Sequence, residues 1–85
     1  MDRIKLIVYG RRDCHLCQEM IASLQKLQKQ IEFQFEVIDI DSDPQLVNQY
    51  NERIPVLVSA NEKQDEICHY YLDEAALDAH FAKIR

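Results

Sequence analysis

One glycine and two prolines in 85 residues leave the chain little with which to build loops, where average usage would supply roughly ten such residues. Connections are therefore expected to be short, and each Gly or Pro to have a specific duty. Tryptophan is absent, and no apolar run approaches the length of about 18 residues that marks a membrane-spanning helix. The opening MDRIKLIVYG has too short an apolar core for a secretory signal. Basic residues are scarce: ten stand against fifteen acids, for a net charge of −5, and their closest block is Arg11-Arg12. That excludes the basic face nucleic acid requires and any attraction to anionic membranes. Three cysteines, an odd number, do not suit a disulfide-stapled secreted scaffold. The expectation is a soluble cytoplasmic protein, and in a reducing compartment a close cysteine pair is more often catalytic or metal-binding than structural.

Ile, Leu, Val and Phe together number 25 of 85. This is well above the roughly 20% below which chains stay disordered, so residues 1–85 are expected to fold as one domain. A chain this short buries only about 60 to 65% of its unfolded surface, which confines any chemistry to a shallow groove.

Ile4 to Tyr9 is an apolar run closed by Gly10 and reads as a buried strand. From Cys17 the period changes. Cys17, Met20, Ile21, Leu24, Leu27 and Ile31 recur at helical spacing, so a helix is expected from about Cys14 to about Gln30, capped by Asp13. Phe33, Phe35 and Val37 then alternate with Gln34 and Glu36, and Ile38 and Ile40 follow, as in a strand whose far end is more buried. Asp41-Ser42-Asp43-Pro44 is a helix start, a capping residue followed by proline at the first helical position, and Leu46, Val47 and Tyr50 give that helix an apolar side. Ile54 to Val58 is strand-like, with Pro55 near its start, where proline is tolerated. Ala60 to Gln64 is a polar turn, and Ile67 to Leu72 alternates as a hairpin partner. Asp73 caps a last helix with Ala76, Leu77, His80, Phe81 and Ile84 along one face. The order β-α-β-α-β-β-α implies a mixed sheet, parallel at its first crossover and antiparallel at the hairpin, with helices packed on it.

Cys14-His15-Leu16-Cys17 falls where the first strand gives way to the first helix. A thiol attacks a disulfide only as thiolate, and a helix N-terminus favours that charge with unpaired N–H groups and the positive end of its dipole. The two-residue spacing puts the second sulfur within one helical turn of the first. Cys14 is then the exposed nucleophile, and Cys17, on the apolar face, the buried resolving thiol. Arg11 and Arg12 add positive charge beside Cys14, Asp13 opposes it, and His15 either favours the Cys14 thiolate or is simply solvated. The same C-x-x-C is half of a zinc site, for which Cys68, His69 and His15 are available as further ligands. Zinc ribbons pair two such knuckles and this chain has one, so no metal is expected. Cys68 is expected to be a small buried hydrophobe and His80 a core-boundary residue. Tyr9 and Tyr50 should pack near the groove, while Asp39, Asp41 and Asp43 read as a solvated loop with a helix cap.

The stretch Val8-Tyr9-Gly10-Arg11-Arg12-Asp13-Cys14-His15-Leu16-Cys17 resembles the active-site segment of glutaredoxins. With Arg53-Ile54-Pro55-Val56 and the element order, the chain resembles the thioredoxin superfamily over nearly its whole length, most closely the small bacterial glutaredoxin-like proteins carrying C-x-L-C. The resemblance implies an α/β, thioredoxin-like (glutaredoxin-like) fold: a mixed four-stranded sheet with helices on both faces. It also implies a dithiol oxidoreductase of cell redox homeostasis, in which Cys14 and Cys17 reduce protein or glutathione-mixed disulfides. No tightly bound cofactor is implied, and glutathione would serve as a co-substrate. Pro55 becomes a cis-proline facing the cysteines, and the Ile54 backbone pairs with an extended substrate. Arg11 stands where glutaredoxins carry a Lys or Arg that contacts a glutathione carboxylate, with Arg12 and Arg53 as alternatives. Glutaredoxins hold the γ-glutamyl end of glutathione with a Gly-Gly followed by acidic residues; here that stretch is Tyr70-Tyr71-Leu72-Asp73-Glu74. The expected partners are a disulfide-containing protein or glutathione, with either a thiol or a flavoprotein as reductant, and nothing demands more than a monomer. Two non-enzymatic readings stand beside this one. The first is a module binding zinc, or an iron–sulfur cluster bridged between protomers through Cys14. The second is a thioredoxin-like interaction domain with vestigial cysteines.

Overall fold

The periods of the sequence resolve, in a computed structural model of the chain, into β1 (Lys5–Gly10), α1 (His15–Leu27), β2 (Gln34–Asp39), α2 (Pro44–Tyr50), β3 (Val56–Ser59), β4 (Glu66–His69) and α3 (Glu74–Ile84), with a 3-10 turn at Ile40–Ser42. The structure describes residues 4–60 and 64–84. The sheet runs β2-β1-β3-β4. β1 pairs with β2 in parallel and with β3 antiparallel, and β4 closes the far edge antiparallel to β3.

β1 lies between two strands and is buried along its length after Lys5, which is why it reads as an unbroken apolar run. Its alternating side chains divide the core. Leu6 and Val8 join Met20 and Leu24 of α1, Leu57 of β3, and Leu77 and Phe81 of α3. Ile7 and Tyr9 point the other way, to Ile40, Tyr50, Val56 and Val58, with Leu46 and Val47 of α2 against them. So α1 and α3 cover one face and α2 the other. This is the thioredoxin-like arrangement, a mixed four-stranded sheet carrying three helices. Among the described residues no helix is long and apolar enough to cross a membrane.

Capping follows the sequence at two helices. Asp43 Oδ1 accepts the Gln45 N–H at 2.9 Å ahead of Pro44, and Asp73 Oδ1 accepts the Ala76 N–H at 3.1 Å. Elsewhere the structure departs from expectation. α1 stops at Leu27 rather than Gln30. The chain tightens there through Lys29 N–H to Lys26 O (3.2 Å) and Gln30 N–H to Leu27 O (2.9 Å), and the Gln28 side chain donates to Phe33 O at 3.0 Å. Val37, expected on the same buried stripe as Phe33 and Phe35, is 47% exposed, because β2 is an edge strand there. The alternation expected from Ile67 to Leu72 breaks twice. Opposite Leu57 and Val58 the register slips by one residue, so that Ile67 and Cys68 both touch the α1/α3 side of the core. β4 then ends at His69, because Tyr70 takes a left-handed φ of 65° and turns the chain towards α3. The expected turn at Ala60 to Gln64 falls largely on residues 61–63, outside the described residues, as does the side chain of Ile84.

Candidate active site

Gly10 ends β1, and a turn closed by Cys14 N–H to Arg11 O (3.3 Å) leads into α1. Asp13, expected to cap α1, does not. The N-cap is Cys14 itself, in an extended conformation (φ −86°, ψ 116°), with its Sγ accepting the Cys17 N–H at 3.2 Å. Cys14 has the extended backbone of an N-cap and α1 begins at His15, so the capping position falls one residue after Asp13. Cys14 Sγ therefore sits at the positive end of the helix dipole, partly open to solvent.

Cys17, one turn in, is 1% exposed. Its thiol is pushed up to about 12, first by burial, then by its hydrogen bond to Cys14 and the charge there, with the Arg11 backbone opposing. Above it lies the chain's one glycine. A Cβ on Gly10 would stand 2.7 Å from Cys17 Sγ, so this strand end can approach the sulfur only without a side chain. In the sequence Gly10 marks only the end of a strand. The contact had no local signal, since it joins residues on two different elements.

The pairing of Tyr9 with Val56 across β1 and β3 sets Pro55 beside Gly10, and so brings the second sequence motif, Arg53-Ile54-Pro55-Val56, to the strand end that meets Cys17. The Ile54–Pro55 peptide bond is cis. Pro55 O accepts the Tyr70 N–H at 2.9 Å, while no loop hydrogen bond among the described residues engages the Ile54 N–H or C=O.

The charged residues singled out in the sequence are engaged elsewhere. Arg11 Nε donates to both carboxylate oxygens of Asp41, at 3.1 and 3.2 Å. Arg53 donates through Nη2 to Glu66 Oε1, and Glu66 Oε2 lies 2.9 Å from His69 Nδ1. His15 is not directed at Cys14. Its side chain is 84% exposed, with Nε2 3.6 Å from the Glu19 carboxylate one turn on. Arg12 is exposed and flanks an open groove of about 270 Å³ beside Gly10, walled by Ile21 and the half-exposed Val37. Tyr9 and Tyr50 pack as expected, stacked with centroids 4.7 Å apart and planes 16° from parallel. Burial, reinforced by Tyr9, pushes the Tyr50 hydroxyl up.

Cys68 is buried in the α1/α3 half of the core, its thiol raised chiefly by that burial. Zinc would need Cys68 and His69 to converge on Cys14 and Cys17. Among the described residues no three His, Cys, Asp or Glu side chains are grouped to hold a metal ion.

Comparison with known proteins bears on this geometry. A family profile described as "Glutaredoxin-like domain (DUF836)" matches residues 5–82. The chain is similar to protein Ne2328 from Nitrosomonas europaea, solved in solution, with 49% identity and a TM-score of 0.83 over 94% of this chain and 93% of that one. It is similar to Northeast Structural Genomics target protein XcR50 from X. campestris at 29% identity and a TM-score of 0.67, over 92% of this chain and 96% of that one. Thioredoxin 1 from Thermosipho africanus, 21% identical, shares the fold with a TM-score of 0.59 over 94% and 96% of the two chains. No curated protein matches the sequence.

Proposed function

This chain belongs to the glutaredoxin-like domain family, and on that premise we propose that it is a thiol–disulfide oxidoreductase working through Cys14 and Cys17. One observation carries the reading: Cys14 Sγ caps α1 and accepts the Cys17 N–H at 3.2 Å, while Cys17 waits one turn below in a buried, proton-holding site.

The Cys14 thiolate attacks one sulfur of a substrate disulfide. The S–S bond breaks, the departing sulfur leaves with the electron pair and takes a proton, and Cys14 is left in a mixed disulfide. The two influences of Cys14 that help hold the Cys17 proton, its hydrogen bond and its charge, are then spent. Cys17 loses its proton and attacks Cys14 Sγ, releasing the second substrate thiol. The substrate has gained two electrons and two protons, and the chain holds a Cys14–Cys17 disulfide. A thiol such as glutathione, or a flavoprotein reductase, returns the electrons. Ile54, beside Pro55, offers backbone N–H and C=O to an extended substrate segment, as an edge strand would. Arg11 and Arg53 lie on the segments that carry Cys14 and Pro55 and are the cations proposed to meet a substrate.

The test is an equilibrium titration across a series of glutathione redox ratios, quenched by alkylation and read by intact mass and peptide mapping. A two-electron transition confined to Cys14 and Cys17, absent in Cys14→Ser, is the expected result. Both cysteines staying reduced or metal-protected throughout would sink the proposal.

A further inference from the structure

Two cations near the proposed thiol centre, Arg11 and Arg53, are already matched by carboxylates of the chain itself, while Arg12 flanks the separate groove walled by Ile21 and Val37. Arg11 is gripped by both oxygens of Asp41, and Asp41 is fixed in turn, because its N–H donates to Asp39 Oδ1 at 2.9 Å within the 3-10 turn after β2. Arg53, two residues before Pro55, is held by Glu66 across the sheet edge, and Glu66 also meets His69. The segment carrying Arg53 is fastened at two more points. The Tyr70 hydroxyl donates to Glu52 O at 2.6 Å, and the Tyr70 N–H donates to Pro55 O at 2.9 Å. Tyr70 holds this position with a φ of 65°, a conformation that side-chain-bearing residues rarely adopt.

A guanidinium binds a carboxylate through parallel, charge-assisted hydrogen bonds, and a free one beside Cys14 would select anionic substrates. Here a carboxylate that turns to Arg11 or Arg53 meets a guanidinium whose Nε or Nη2 already donates to Asp41 or Glu66, and must displace that acid or share the cation with it. Displacement exchanges one ion pair for another, and in either case the chain's own carboxylate stays close enough to repel the newcomer. The net charge of −5 opposes the approach of an anion over longer range. Backbone pairing at Ile54 carries no such penalty, since it reads peptide groups and no charge.

We propose that Asp41 and Glu66 are built-in counter-ions that set substrate choice. By occupying Arg11 and Arg53 they disfavour small anionic disulfides such as glutathione disulfide, and leave the site to uncharged, extended polypeptide disulfides. The inference rests on the thiol–disulfide reading above and assigns that reading its substrate class.

Single-turnover oxidation tests it without an external reductant. The reduced chain is mixed with glutathione disulfide or with the disulfide of a blocked, uncharged pentapeptide, and Cys14–Cys17 formation is followed by acid quench and mass spectrometry. Wild type should react faster with the neutral peptide disulfide. Glu66→Gln and Asp41→Asn should each raise the ratio of the glutathione rate constant to the peptide rate constant, by about fivefold at low ionic strength. That gain should shrink in about 1 M salt, where exposed charges are screened. A purely structural loss would move both rates together and leave the ratio and its salt dependence unchanged. An unchanged ratio in both variants, or a wild type that prefers glutathione disulfide, overturns the inference. If neither disulfide oxidises wild-type Cys14 and Cys17, the exchange reading itself falls and takes this one with it.

Discussion

The sulfurs of Cys14, Cys17 and Cys68 differ in what surrounds them, and the differences predict their reactivity. Cys14 is partly open at a helix N-terminus, Cys17 is 1% exposed with its thiol pushed up to about 12, and Cys68 is 8% exposed and raised by burial. A thiol held so far above the ordinary cysteine range is almost wholly protonated at pH 7. Brief treatment of the folded, reduced chain with iodoacetamide at that pH should therefore label Cys14 alone, with Cys17 and Cys68 labelled only after denaturation. Peptide mapping reads this directly, and early labelling of Cys17 would contradict its burial. The C-x-x-C spacing and the helical stripe through Cys17 made this division legible in the sequence. Other features of the site were not. In the sequence Asp41 reads as a solvated loop acid and nothing marks Glu66, because their arginine partners lie 30 and 13 residues away and only the fold brings them together. His15, adjacent in sequence to the nucleophile, is carried outward by the helix it begins.

Among the elements, α1 is unusual in being capped by a residue proposed to do chemistry. Sulfur is a poor acceptor beside a hydroxyl, and serine is among the favoured N-caps. Cys14→Ser should thus be as stable as wild type or more so, while Cys14→Ala, with no acceptor for the Cys17 N–H, should lose about 1 kcal/mol. Urea unfolding of the two variants side by side decides this, and equal losses would show that the cap contributes nothing. The helices and strands were largely readable because their apolar periods record burial on one face or two. The places that were misread are governed by neighbours rather than by period. β2 exposes Val37 because it is the edge strand of the sheet among the described residues, and the slip opposite Leu57 depends on how β4 docks on β3. Tyr70 at positive φ contradicts the local preference of its own residue type, so no local reading would find it.

On the scale of the whole molecule, acid stability is linked to His80. It is half-buried on α3; burial lowers its pKa first, Lys83 lowers it further, and Asp65 opposes both. The folded state resists a proton that the unfolded chain accepts near 6.5, so the unfolded state binds more protons in the window below that value. Stability should therefore be full above about 6.5 and fall as the pH drops through that window. Urea midpoints measured between pH 7.5 and 5.5, as rough bounds on the window, should decline for wild type and decline less for His80→Leu; an identical slope in the variant would assign the effect elsewhere.

The close approach of Gly10 to Cys17 bears, finally, on how the protein wears out. Carrying a thiol to sulfinate adds two oxygens at sulfur, and Cys17 Sγ is buried and, on its Gly10 side, lacks room even for a methyl group. Irreversible damage by peroxide then falls on Cys14. Working lifetime under oxidative stress becomes a race at one atom, between a second peroxide reaching a Cys14 sulfenate and the sheltered Cys17 closing on it first.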